Sequence, residues 1–273
     1  MRFLILGDPH GIIPAKIKKL RHDAFDAIIC TGDFVPDLKL RKIIFSAIRR
    51  GLNWRMTISE QKLAKIATHS EARGMKVLSW LQSIRKPVYF IPGNWDISLT
   101  SGEIFYKKKI AKMKTRMNNL VDCDMRLVDV DATTCIIGYG RTSGPELRAD
   151  RGITPHDRDH FSLLCKKFDK LFALAKKRKQ KVIFLTHNPP IDTKLDRINY
   201  KASPAHGKHF GSQLSRKMIE KHKPLICICG HMHENRGLTK LKTTTCFNAG
   251  CLRERGFFIL KERGKIEKLK PRG

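Results

Sequence analysis

Five apolar runs in this chain each stop at a residue able to bind a metal ion or sit against a phosphate. FLILGDPH ends in Asp8 and His10, AIICTGD in Asp33, VYFIPGN in Asn94, VIFLTH in His187 and LICICGHMH in His231 and His233. One polar residue at the end of an apolar run is ordinary; five ends that together supply two Asp, one Asn and four His are not. In open α/β sheets, ligands bind outside the carboxyl ends of the strands, so these seven side chains are expected to face one crevice. Gly7, Gly32, Gly93 and Gly230 lie among them and suit tight turns that let backbone approach a bound ion.

Carboxylate and imidazole together match divalent Mn, Fe, Zn or Ni better than Mg or Ca, which prefer all-oxygen shells. Two such ions about 3.5–4 Å apart can share a hydroxide whose parent water falls from a pKa of about 15.7 towards about 7, and can stabilise the attacking and leaving oxygens of a phosphoryl displacement. The chemistry these residues imply is therefore phosphoester hydrolysis at two divalent ions.

The elements that must position them read as follows. Phe3 to Leu6, Ala27 to Cys30 and Val88 to Ile91 are strand candidates, and Pro14 opens a short basic helix at its first turn. Residues 39–84 interrupt the alternation with two helical patterns, the second opened by a Thr57/Glu60 capping box, and read as a helical insertion. A basic helical stretch follows over 103–120, then strands near 126–130 and 134–138. Pro155 begins a long helix with one apolar face, carrying Phe161, Leu164, Phe168, Leu171 and Leu174. Lys181 to Leu185 and Leu225 to Cys229 suit strands buried on both faces, and Arg236 to Lys270 shows short strands expected to be antiparallel to one another. No internal repeat, low-complexity tract or Gly/Ser linker divides the chain, so residues 1–273 are expected to form a single domain.

The chain has 273 residues, 41% hydrophobic and 29% charged, enough to bury a full core and too apolar for a disordered tail. Its 55 Lys and Arg against 25 Asp and Glu leave a net charge of +30, which excludes an ordinary near-neutral surface and implies an anionic partner or an unusual cytoplasm. No run approaches the roughly 18 apolar residues of a membrane span, and the start lacks the pattern of a signal peptide, so a soluble cytoplasmic protein without membrane partners is expected. The 8 cysteines form no C-x-x-C pair and mostly sit in apolar runs, as reduced core thiols do.

The order D-x-H, G-D, G-N, H and G-H-x-H resembles the calcineurin-like metallophosphoesterase superfamily over most of the chain. The stretches THNPP, HGKHFGS, GHMHENRG and NAG further resemble the branch of archaeal-type phosphoesterases related to cyclic-nucleotide phosphodiesterases. The resemblance implies an α/β fold, a four-layer α-β-β-α sandwich with a pair of mixed sheets between helices. It also implies that one metal takes Asp8, His10 and His233, the other Asn94, His187 and His231, with Asp33 bridging; Asp33, Asn94 and His10 are then the catalytic candidates. One departure stands out. The family's third motif usually places His after Asn, thought to protonate the leaving group or hold the phosphate, and this chain has Trp95 there. Loss of a positioned general acid typically costs about 10²–10⁴-fold, which favours substrates with good leaving groups.

Four further residues are candidates for substrate contact. Trp95 is either a packing side chain over its loop or a stacking platform for a base or aromatic leaving group. Arg141, after a strand in GYGRTSGPE, is placed to grip a phosphate or else lies on the surface. His206 and His209 precede a helix capped near Ser212 and are either proton donors or solvated loop residues. Asp96 steadies its own turn or a ligand His, and Cys227 and Cys229, on one strand face between Ile226 and Ile228, read as buried filling rather than zinc ligands. Two alternatives to a small-substrate hydrolase remain: a nuclease acting on RNA or DNA, motivated by the charge, and a non-catalytic interaction module that keeps the fold, motivated by Trp95 and the insertion.

Overall fold

The computed structural model describes residues 1–20, 22–99, 101–107, 118–149, 152–199, 201, 203, 205–254, 257–261 and 264–269. Among the described residues, twelve strands form two six-stranded sheets. The first contains β1 (Phe3–Leu6), β2 (Ala27–Cys30), β3 (Val88–Phe90), β4 (Leu120–Asp122), β11 (Phe257–Leu260) and β12 (Ile266–Leu269), in the order β12-β11-β1-β2-β3-β4. The second contains β5 (Leu127–Asp129), β6 (Thr134–Tyr139), β7 (Lys181–Thr186), β8 (Ile226–Cys229), β9 (Gly237–Leu241) and β10 (Thr244–Asn248), in the order β5-β6-β7-β8-β10-β9. In each sheet four strands run parallel, with antiparallel strands at the margins: β1 to β4 in the first and β6, β7, β8 and β10 in the second.

The central strands are continuous apolar runs because both their faces are covered. Phe3 and Ile5 of β1 face a core shared with Ile183 and Leu185 of β7 and Ile226 and Ile228 of β8, so this core lies between the sheets. The alternate residues Leu4 and Leu6 face a second core with Ile17, Val77, Leu78 and Leu81. On the far side, Val182, Phe184 and Cys227 meet Phe168, Phe172, Leu214 and Met218 in a third. Three cores between four layers make the α-β-β-α sandwich. The cysteines expected to be reduced filling are free and buried.

The outer layers consist of α1 (Ala15–Lys18) and α3 (Glu60–Ser83) on the first sheet, and α4 (Pro155–Lys177) and α5 (Gln213–His222) on the second, while α2 (Leu38–Arg49) precedes α3 in the insertion. Thr154 and Asp157 form a reciprocal capping box at α4, with Pro155 at the first turn, where no amide is needed. The insertion between β2 and β3 is helical as expected, but Thr57 does not start its second helix. Residues Trp54–Thr57 form a 3-10 turn in which the Thr57 hydroxyl donates to the Trp54 carbonyl (2.7 Å), and Ser59 caps α3 by accepting from the Lys62 amide (3.3 Å).

The expected helix over 103–120 falls largely on 108–117, outside the described residues; before it, Ile104 pairs with Ile97 in an isolated antiparallel bridge. The C-terminal strands are antiparallel within two pairs, as expected, and the pairs join different sheets. β9 and β10 close the second sheet, with β10 parallel to β8, while β11 and β12 return to the first sheet beside β1. Among the described residues no helix is long and apolar enough to cross a membrane.

Candidate metal centre

Every residue singled out at a strand end sits just past the carboxyl terminus of a parallel strand. Asp8 and His10 follow β1, Asp33 follows β2, Asn94 follows β3, His187 follows β7, and His231 and His233 follow β8. Three of these seven, His10 (φ 47°), Asp33 (φ 54°) and His231 (φ 64°), adopt the left-handed backbone that non-glycine residues rarely take. Strain of this kind persists where the surrounding structure over-determines it, and it clusters at functional sites. Glycine is required where backbone passes closest: a Cβ on Gly93 would fall on the Asp33 carboxylate and amide, and one on Gly230 on the Asp8 carboxylate.

The seven side chains come together as two groups sharing a boundary. Asp8, His10 and His233 each offer a ligand atom within 4.8 Å of the others, and so do Asp33, His187 and His231. His10 Nε2 lies 3.3 Å from His233 Nε2, and His233 Nε2 lies 3.0 Å from Asp8 Oδ2. In the second group, His187 Nε2 is 2.9 Å from Asn94 Oδ1 and 3.4 Å from Asp33 Oδ2. Asp33 Oδ2 is also 3.8 Å from His10 Nε2, so one carboxylate oxygen touches both groups.

The partners outside the cluster fix which nitrogens face inward. His10 Nδ1 is 3.2 Å from the Val35 carbonyl and His187 Nδ1 is 2.8 Å from the Thr31 carbonyl, so each Nδ1–H donates outward and aims Nε2 at the centre. The Thr31 hydroxyl donates to Asp8 Oδ1 (2.6 Å), and the His231 amide donates to Asp8 Oδ2 (2.7 Å). Asp96 ties two ligand loops together, accepting from the amides of Phe34 (2.8 Å) and Val35 (3.2 Å) on Oδ1 and of Gly93 (2.8 Å) on Oδ2. It steadies its own turn and the Asp33 loop, and makes no hydrogen bond to a histidine among the described residues. Thr31 was not among the residues singled out from sequence. Its signal is its place one residue before the Gly32–Asp33 turn.

Electrostatically the cluster is tightly coupled. Burial opposes charge on His187, but the facing Asp33 carboxylate outweighs it and pushes the imidazole up to about 10. Burial pushes His231 down to about 3. Burial opposes charge on Asp8 and Asp33 too, yet His187 and the neighbouring imidazoles hold both carboxyls below their usual range. Burial, with the Asp33 charge, raises Asp96 to about 8. Carboxylate, amide oxygen and imidazole gathered this closely are the donor types that a divalent cation takes, and the residues present fit such an ion.

The proposed substrate contacts are more dispersed. The Trp95 amide donates to Asp33 Oδ1 (2.9 Å), while its half-buried indole packs on the core below and lines a groove with Pro36 from the loop after β2, Leu40 from α2 and Ala67 from α3. Arg141 (φ 65°) donates its amide to the Pro92 carbonyl (2.8 Å), and its Nε lies 3.3 Å from the buried Asp124 Oδ2. His209 Nδ1 is held 2.8 Å from the buried Asp196, and His206 is exposed in its loop. Neither ring hydrogen-bonds to the seven-residue cluster among the described residues.

Comparison with known proteins gives the family of the chain. The model of the calcineurin-like phosphoesterase family matches residues 1–235, a span that contains all seven cluster residues. The chain belongs to the calcineurin-like phosphoesterases. It is 22% identical over 251 residues to an uncharacterized protein of Methanocaldococcus jannaschii, covering 91% of this chain and 87% of that one. Among solved structures, one crystal structure superposes with a TM-score of 0.73 at 16% identity, covering 99% of both chains. The protein TT1561 of Thermus thermophilus does so with a TM-score of 0.58 at 16% identity, again over 99% of both. At such identities these structures show the shared fold. Family and cluster together make this calcineurin-like phosphoesterase a metal-dependent phosphoesterase in general terms.

Proposed function

We propose that this chain hydrolyses a phosphodiester or phosphomonoester at a dinuclear centre. Asp8, His10 and His233 would hold one divalent cation, drawn from Mn, Fe, Zn or Ni, and Asn94, His187 and His231 the other, with Asp33 reaching both. The observation that carries the reading is the Asp33 carboxylate oxygen lying between His10 Nε2 (3.8 Å) and His187 Nε2 (3.4 Å), one from each group. Two divalent cations bound there supply an acidified water as nucleophile and neutralise charge on the attacking and leaving oxygens.

The residues around the centre set the geometry. Thr31 holds Asp8 by its hydroxyl and His187 by its carbonyl, so one strand end aligns both groups. Asp96 holds the Asp33 and Asn94 loops at fixed separation. Arg141 is anchored by Nε to Asp124, leaving its two terminal nitrogens without a hydrogen bond among the described residues and available to a phosphate oxygen. No histidine follows Asn94 to protonate the departing oxygen, so the rate should fall steeply as the leaving group becomes more basic.

Purified protein with Mn²⁺ is expected to hydrolyse bis-p-nitrophenyl phosphate, with activity abolished by Asp33→Ala or Asn94→Ala; full activity in both variants refutes the assignment. The net charge of +30 supports a second reading in which the ester belongs to RNA or DNA. Single-stranded substrates at about 50 mM salt test it, and neither cleavage nor binding there removes it.

A further inference from the structure

A sixth strand end also reaches this crevice. The chain leaves β10 through Ala249 and Gly250 and turns tightly, the Glu254 amide donating to the Cys251 carbonyl (3.2 Å). The turn is fastened to the metal centre, since Cys251 pairs with Asp8 in a parallel bridge and the Leu252 amide donates to the Asp8 carbonyl (3.0 Å). It therefore places two side chains beside His233. One ligand atom each from His233, Cys251 and Glu254 lies within 4.8 Å of the others. Cys251 is buried, His233 half-buried and Glu254 exposed, so the group forms a cup open to solvent at the carboxylate.

The donor set differs in kind from its neighbour. Thiolate, imidazole and carboxylate with an open fourth position suit a thiophilic, tetrahedral ion such as zinc, whereas the Asp8 and His10 side chains offer no sulfur. His233 belongs to both sets. Its Nε2 is already engaged with Asp8 and His10, so an ion held with Cys251 and Glu254 competes with the Asp8/His10 position for the same imidazole.

We propose that His233, Cys251 and Glu254 form a third metal site, selective for zinc-like ions, whose occupation withdraws His233 from the Asp8/His10 position and so inhibits the enzyme. The inhibition rests on the proposed role of His233 in hydrolysis; the binding does not. The full chain, stripped with chelator and titrated with Co²⁺ alone, is expected to show thiolate-to-cobalt charge-transfer absorption in the near ultraviolet. Cys251→Ser should abolish that band and Glu254→Gln weaken it, while the d–d absorption of cobalt at the other ligands persists. No band in the wild-type protein, or its survival in Cys251→Ser, overturns the site. In a second arm, Zn²⁺ is added to Mn²⁺-supported hydrolysis of bis-p-nitrophenyl phosphate. The wild-type enzyme should be inhibited at about one-tenth of the zinc that inhibits Cys251→Ser or the exposed-position variant Glu254→Gln. Equal sensitivity overturns the competition. Absence of hydrolysis in every protein defeats the phosphoesterase reading and leaves the cobalt result to decide the third site.

Discussion

Asp33 shows how closely single side chains are held. Its backbone is left-handed, its Oδ1 accepts the Trp95 amide, its Oδ2 lies between two imidazoles, and Gly93 passes against it with no room for a methyl group. Gly93→Ala must push that carboxylate aside. Metal affinity should fall about 10–100-fold, the usual cost of disturbing a ligand's support, with an unchanged circular dichroism spectrum; isothermal titration with Mn²⁺ measures it. His187 gives a pH dependence whose sign follows from its raised pKa of about 10. Without metal it carries a proton at neutral pH that a cation must displace, so affinity should rise with pH, by up to about tenfold per unit below that value, and binding should release protons into a weakly buffered solution. The metal-free protein responds in the opposite sense. The stabilisation His187 gains from Asp33 is fully present below its ordinary value of 6.5 and is lost as pH rises through about 10. Metal affinity flat between pH 6 and 9, an interval of about three units, would contradict the first statement, and urea stability of the metal-free protein that does not fall between about pH 7 and about pH 11 the second.

At the scale of elements, the strands that carry the site were readable because burial on both faces writes them as unbroken apolar runs, and the polar residue that ends each run marks the crevice. This holds for FLIL before Asp8, AIIC before Asp33 and VIFLT before His187. What could not be read depends on closeness in space. β4 is only three residues, Leu120 buried and Val121 and Asp122 half-buried, with no run to notice, and Ser59 displaces Thr57 as the cap because the Thr57 hydroxyl is taken by Trp54. Cys251 and Glu254 reach His233 only because β10 lies next to β8, a pairing no local pattern announces. The elements also differ in what they support. Phe90 of β3 meets Phe34 and Tyr106 edge to face at 5.5 and 5.4 Å, between the Asp33 and Asn94 loops, whereas Phe168 of α4 meets Tyr139 and Phe184 at 5.1 and 6.0 Å. Phe90→Leu and Phe168→Leu should each cost roughly 1–3 kcal/mol in urea denaturation, since both remove buried volume. Only Phe90→Leu should also weaken Mn²⁺ binding; equal effects on metal would show that the two aromatic clusters serve the centre alike.

The whole molecule is more basic outside than its composition states. Of its 25 acidic residues, Asp8, Asp33, Asp37, Asp96, Asp124 and Asp196 are buried in the structure, so their charges do little to offset the surface excess behind the net +30. The outer layer adds to this: α4 carries Lys166, Lys167, Lys170, Lys176 and Lys177, and Arg178 and Lys179 follow it. Arg178 is paired with Asp129 at 3.1 Å, which offsets one of these charges. Such a surface attracts polyanions by displacing their condensed counterions, and this attraction weakens linearly in the logarithm of the salt concentration, in proportion to the phosphates neutralised. Binding to a random duplex is therefore expected at about 50 mM salt and should weaken by about 10³-fold or more by about 200 mM, with no preference among sequences. Fluorescence anisotropy with two unrelated duplexes reads both quantities. Affinity that ignores salt would mean that the charge is not what binds. A strong sequence preference would mean that base contacts, and not charge alone, hold the nucleic acid.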